Sequence, residues 1–278
     1  MTLATVWFFL WGLLWAIYFM TDGFDLGVGA LLPFLAKDET QRRTMYNATG
    51  PLWDGNEVWL ITAGGVTFAA FPQTYAVMFS TFHEALTLLL LALIVRGLSF
   101  EFRGKADSAG WRRLCDVCQF GGSVLTAVLL GVAFANIFRG VALVDGVHRG
   151  TILDLLNPYG LAGGVFFLVI FLVHGALWLA IRTEGALHER AVRAAGGLWV
   201  ALLVLAVAFL LFTAIATSLY DNYLSQPLLW VVPLLAVAPL VAVKMFLRKA
   251  RLWAAWFASA GMIVAVTFFG IIGLYPNM

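Results

Sequence analysis

The sequence predicts an all-α, polytopic membrane protein, a transmembrane bundle of about eight helices, and three observations predict it. Hydrophobic residues make up 62% of the 278 residues and charged residues 12%, with a mean hydropathy of +0.93; a soluble domain carries about 25% charged residues. Apolar stretches of roughly 20 residues, each long enough to cross a ~30 Å hydrocarbon core as a helix, recur along the chain, without the ~10-residue alternating segments of a membrane β-barrel. Lysine and arginine are concentrated in every second connection.

The first apolar stretch, 3–35, is followed by a loop holding Lys37, Arg42 and Arg43. As one continuous helix it would run about 50 Å, so it must tilt, bend near its glycines or project from the bilayer. Spans at 52–71 and 82–100 follow, then a second basic loop with Arg103, Lys105, Arg112 and Arg113. The fourth span, 117–138, is followed by a connection with only Arg139 and Arg149, and the fifth, 159–181, by Arg182, Arg190 and Arg193. The sixth and seventh are 197–219 and 228–247, the connection after them, counted with the helix end before it, holds Lys244, Arg248, Lys249 and Arg251, and the eighth is 253–275. Fourteen of the 17 lysines and arginines thus fall in odd-numbered connections. Cytoplasmic loops retain Lys and Arg, so the odd connections face the cytoplasm and both termini face outside.

Other bulk features carry less. A net charge of +2 gives no reason to expect nucleic acid. The N-terminus has neither a basic n-region nor a small-residue cleavage site, and reads as the first span. Cys115 and Cys118 form a lone CxxC without the second pair, nearby histidines or βαβ setting that a metal or thioredoxin-like site needs. No Walker, GxSxG or HExxH motif occurs.

Chemistry is therefore sought in ionisable residues inside apolar spans, where each costs several kcal/mol unless paired or hydrated. Asp22 and Asp25 lie three residues apart in T-D-G-F-D-L-G-V-G, on one helix face. Asp54 and Glu57 repeat that spacing in W-D-G-N-E-V-W, with Trp53 and Asn56, at the cytoplasmic end of the second span. Each acid alone reads equally well as a helix-dipole partner; two acidic pairs in succession suggest a carboxylate ladder for protons, since burial favours protonated carboxyls. Arg96 is expected to neutralise an acid on a neighbouring helix, with Glu101 further along the same span. His83 and Glu84 open that span at the outer interface. His174 reads as a hydrogen-bonded core residue before a haem ligand or relay; His148 and His188 fall in loops, so a bis-histidine haem within this chain is not expected.

Taken together, T-D-G-F-D-L-G-V-G at 21–29, G-P-L-W-D-G-N-E-V-W-L-I-T-A-G-G at 50–65, F-A-A-F-P at 68–72, R-G-L-S-F-E-F-R at 96–103, H-G-A-L-W-L at 174–179 and G-L-Y-P-N at 273–277 resemble subunit II of the cytochrome bd-type quinol oxidases, over essentially the whole chain. The resemblance implies a non-haem subunit of a terminal respiratory oxidase of the bacterial cytoplasmic (inner) membrane. Quinol and dioxygen are then substrates of the complex, and haems b and d belong to the homologous subunit I. Small single-span subunits are further partners in such assemblies. No cofactor is assigned to this chain; some relatives hold a structural quinone, for which no residue here is nominated. The resemblance casts Asp22, Asp25, Asp54 and Glu57 as proton-path positions. It also implies two four-helix bundles, pseudo-repeat halves near 1–138 and 159–275, with the family's ninth helix lacking a counterpart. From the residues alone, an ion-coupled transporter using intramembrane carboxylates is the alternative, and a purely structural subunit with capped and paired acids is the third reading.

Overall fold

A computed structural model describes residues 2–143 and 150–277; His148 and Arg149 lie outside the described residues. Twelve α-helices account for nearly all of them: α1 (Leu3–Leu35), α2 (Glu39–Thr49), α3 (Trp53–Ala70), α4 (Pro72–Thr81), α5 (His83–Phe102), α6 (Ala109–Arg139), α7 (Ile152–Leu155), α8 (Pro158–Arg182), α9 (Gly185–Ala216), α10 (Asp221–Ser225), α11 (Val231–Arg248) and α12 (Leu252–Leu274). Among the described residues seven helical segments are long and apolar enough to cross a membrane: α1, α5, α6, α8, α9, α12, and α11 with its preceding 3₁₀ turn. The remaining predicted span, 52–71, is the 18-residue α3. Its first two turns carry Asp54, Asn56 and Glu57, which dilute its hydropathy.

Local chemistry sets the boundaries. Asp38 accepts the Gln41 N–H at 2.8 Å and starts α2; Asn157 accepts the Gly160 N–H at 2.9 Å and starts α8, with Pro158 in the first turn. Phe71 leaves the helical region before Pro72, which separates α3 from α4. Two helices extend well before their predicted spans, α6 by its polar first turns from Ala109 and α9 from Gly185. A search for uninterrupted apolar residues misses such amphipathic ends. The first stretch is one unbroken helix, and its glycines let neighbouring helices approach closely.

The packing is centred on α8, which lies against α1, α6, α9 and α12. In the first half α1 packs on α3 and α6, and α5 packs on α6; in the second half α8 packs on α9 and α12, and α11 on α12. At the crossing of α1 and α8, Gly27 faces Gly175: a methyl on Gly175 would sit 2.6 Å from the Gly27 carbonyl carbon, and one on Gly27 would strike the Phe171 carbonyl. Without a hydrophobic driving force between helices in lipid, such backbone approach supplies van der Waals contact that larger residues would forbid. Above the crossing, Trp15, Phe19, Phe134, Phe167 and Phe171 interlock edge to face. This frame holds the inner halves of α1, α3, α5 and α6 together.

Candidate functional site

Tyr18, Asp22, Asp25 and Gly29 recur at spacings of four, three and four along α1, so they share one face. Arg96 reaches that face from α5. Its Nη2 lies 3.1 Å from Asp22 Oδ1 and its Nη1 2.6 Å from Glu57 Oε1 on α3. Asn56, also on α3, donates Nδ2–H to Asp25 Oδ2 at 2.7 Å. Arg96, Asp22 and Asp25 are fully buried, whereas the Glu57 side chain keeps 20% exposure. Trp53 stacks flat on Phe100 at 5.4 Å, and the Arg96 guanidinium lies 5.7 Å from the same ring. One guanidinium therefore ties three helices together while facing three carboxylates. Asp22 Oδ2, Asp25 Oδ1 and Arg96 Nε have no hydrogen-bond partner among the described residues. The Tyr18 hydroxyl, on the same face of α1, likewise has no hydrogen-bond partner among the described residues.

Other sequence-predicted residues stand apart. Asp54 is exposed on the first turn of α3, where its Oδ1 accepts the Gly55 N–H at 2.7 Å. Glu101 is exposed and borders, with Trp53 and Glu57, an open groove between α3 and α5. His83 is exposed, and Glu84 accepts the Ile152 N–H at 3.0 Å, tying α5 to α7. His174 is fully buried: Nδ1 pairs with Ser259 Oγ at 3.0 Å, Nε2 with the Met20 carbonyl at 3.1 Å, and its ring stacks on Trp256. Both ring nitrogens thus serve to join α1, α8 and α12. Cys115 and Cys118 are free thiols, and among the described residues no group of histidine, cysteine or carboxylate side chains is arranged to hold a metal.

Sequence reasoning missed a second ionic cluster, at the basic end of the bundle. Arg103 donates Nε–H to Asp116 Oδ1 at 2.7 Å and forks onto Glu39 at 2.9 and 3.0 Å. Arg42 joins Asp116 at 3.1 Å, and the Arg103 guanidinium lies 5.0 Å above the Tyr46 ring. Those hydrogen bonds from Arg103 hold the Glu39 carboxyl below its ordinary value. Burial, reinforced by Asp116, pushes the Tyr46 hydroxyl up, so it stays neutral. The cations were legible as topology markers; that role conceals which acids they meet.

The model of the family described as cytochrome bd terminal oxidase subunit II matches residues 3–278. This chain belongs to that family. It is 36% identical to the cytochrome bd-I ubiquinol oxidase subunit 2 of Escherichia coli K12, with 99% of this chain and 81% of the relative aligned. Against the cytochrome bd ubiquinol oxidase subunit 2 of Bacillus subtilis 168 it is 35% identical, covering 100% and 82%. The bd oxidase structure from Geobacillus thermodenitrificans shares the fold with a TM-score of 0.82 at 17% identity, over 99% of this chain and 86% of that one. As a bd subunit II, this chain is a multi-pass membrane component of a quinol-oxidising oxidoreductase, and the residues quoted from its motifs include those that build the Asp22–Arg96–Glu57 centre.

Proposed function

We propose that this subunit supports a haem-bearing subunit I in the bacterial inner membrane and delivers cytoplasmic protons toward it through the centre formed by Asp22, Asp25, Glu57 and Arg96. The odd, basic connections face the cytoplasm in this reading. The observation that carries it is the charge arrangement: one buried guanidinium against three carboxylates, two of which keep unpaired oxygens. In low-dielectric surroundings such a group approaches neutrality only when protons share it, and carboxylates that share protons can relay them. Reduction of each dioxygen to two waters takes up four electrons and four protons; quinol supplies the electrons, and a subunit flanking the haem protein can supply the proton route. Asp54, exposed one turn before Glu57, lies where a neighbouring subunit or solvent would meet the centre.

Small single-span subunits would pack on the apolar outer faces. An apolar cavity of about 110 Å³ is the room available to the tail of a structural quinone. Its Thr213 and Thr267 hydroxyls donate to their own helix carbonyls, at 2.7 and 2.8 Å, so they offer a quinone head group no free donor. Family membership removes the ground for the transporter reading, and the purely structural reading becomes an outcome of the test. In assembled oxidase, Asp22→Asn, Asp25→Asn and Glu57→Gln should each cut quinol-driven oxygen uptake by about 10²-fold, the scale of a lost proton-transfer group, while the haem absorbance stays unchanged. Full turnover and normal proton uptake in all three would leave the centre a structural tie.

A further inference from the structure

The ionic cluster at the basic end leaves cations without a close counter-charge. Arg103 commits hydrogen bonds of 2.7 to 3.3 Å to both Asp116 and Glu39, and Arg42 shares Asp116. Arg112 reaches Glu39 and Asp107 only at 4.0 Å, too far for a hydrogen bond. Arg113 is exposed and forms no ion pair among the described residues. Four guanidinium groups thus gather around the carboxylates of Glu39 and Asp116, an excess of positive charge held mainly by Arg112 and Arg113.

These two arginines stand at the head of a groove. The end of α1, the start of α2 and the first turns of α6 border a space of about 730 Å³. Arg42, Arg112 and Arg113 line one end of it, and Leu32, Phe34, Val117 and Phe120 form an apolar wall beyond them. On α6, Arg113, Val117 and Phe120 recur at spacings of four and three, so they share one face. Seven residues span about 10 Å at 1.5 Å per residue, the step from the headgroup level to the acyl boundary. Phe34 and Phe120 meet edge to face at 6.0 Å. Phe34 and Val117 nevertheless stay 62% and 59% exposed, so the wall is open to an occupant from outside the chain.

Such an occupant has to bring a negative group to Arg112 and Arg113 and lay an apolar tail on the wall within that distance. Guanidinium forks match phosphate oxygens, and basic pockets between helices at a membrane surface suit anionic headgroups. A free phosphate would leave the aromatic wall wet, and an apolar helix would leave the arginines without a counter-charge. We propose that the groove between α1, α2 and α6 binds one anionic glycerophospholipid from the leaflet at the basic end. Arg112 and Arg113 hold its phosphate, and an acyl chain lies along Phe34, Val117 and Phe120. The site stands apart from the Asp22–Arg96–Glu57 centre and does not depend on proton delivery through it.

The test uses the assembled oxidase in phosphatidylcholine nanodiscs doped with a phosphatidylglycerol whose acyl chain carries a diazirine. The same acyl diazirine on phosphatidylcholine, at equal mole fraction, is the control, and labelled peptides are mapped by mass spectrometry. Labelling at Phe34, Val117 and Phe120 should favour phosphatidylglycerol roughly tenfold, the scale of two arginines beside an anionic headgroup. Arg112→Gln with Arg113→Gln should abolish that preference with haem absorbance unchanged, and the double lysine variant should keep most of it. Equal labelling by the two lipids overturns the proposal, as does a preference that survives the glutamine pair. A wall labelled by neither lipid, with cross-links there to another polypeptide, gives the groove to a protein partner and overturns it too. Should the glutamine pair lose its haem, Arg113→Gln alone decides by the same ratio, since that exposed side chain ties no helices together.

Discussion

At the residue scale, the two arginines show different uses of one chemistry. Arg96 is fully buried and holds Asp22 and Glu57 from separate helices. Removing it alone strands two carboxylates, so Arg96→Met should cost about 3–5 kcal/mol, the range for breaking a buried pair. Adding Asp22→Asn and Glu57→Gln should restore most of that stability but not the turnover; thermal unfolding followed by haem absorbance checks both statements. Arg96→Lys should fail to rescue, because an ammonium lacks the planar fork that spans both acids. Arg103 works nearer solvent, forked between Glu39 and Asp116. It holds Glu39 below its ordinary value of 4.5. Because the folded-state value is lowered, the stabilisation is complete above about 4.5 and is lost as pH falls through the depressed value. Melting curves of wild type and Arg103→Gln should therefore converge below that pH and separate above it. A separation that stayed constant through acid would contradict the Glu39 assignment.

At the scale of elements, the crossing of α1 and α8 depends on glycine at 27 and 175 because backbone meets backbone there. Gly27→Ala forces the helices apart, and overpacking of this kind costs about 1–3 kcal/mol or more. A clear drop in the melting temperature is expected. The effect should reach His174 as well, since its hydrogen bonds to Met20 and Ser259 join the same helices. A Gly27→Ala complex with wild-type melting and turnover would mean that α1 and α8 can separate without loss. We propose that the two halves repeat one four-helix plan, a reading that fits the paired packing orders, α1 on α3 and α6 and α8 on α9 and α12.

For the whole molecule, burial is unevenly divided among helices of similar hydropathy. The apolar window of α8 is 72% buried, against 11% for α9 and for the segment containing α11. A carbene-releasing lipid should therefore label α8 least among the apolar helices of the assembled complex. Comparable labelling of α8 and α9 would contradict its central place. The ionisable centre lies apart from this core, between α1, α3 and α5, and its Glu57 keeps the partial exposure through which a second subunit could be served.

What the sequence by itself determined was the membrane class, the order of spans, the alternation of basic connections and the family. Those depend on hydropathy, charge counts and short motifs, which are local properties of the chain. It also marked Asp22, Asp25, Glu57 and Arg96 as unusual, because an ionisable residue in an apolar span stands out without knowledge of its neighbours. Only the tertiary structure decided that Arg96 meets Asp22 and Glu57 while Asp54 turns outward, since residues i and i+3 on a helix differ in direction by about 60°. It alone revealed that Arg112 and Arg113 head an apolar groove, because arginines counted along the chain become informative only when packing shows which acids other cations have taken. Helix–helix rotation is set by packing at contacts such as Gly27–Gly175, and that rotation selects which face of each helix turns inward.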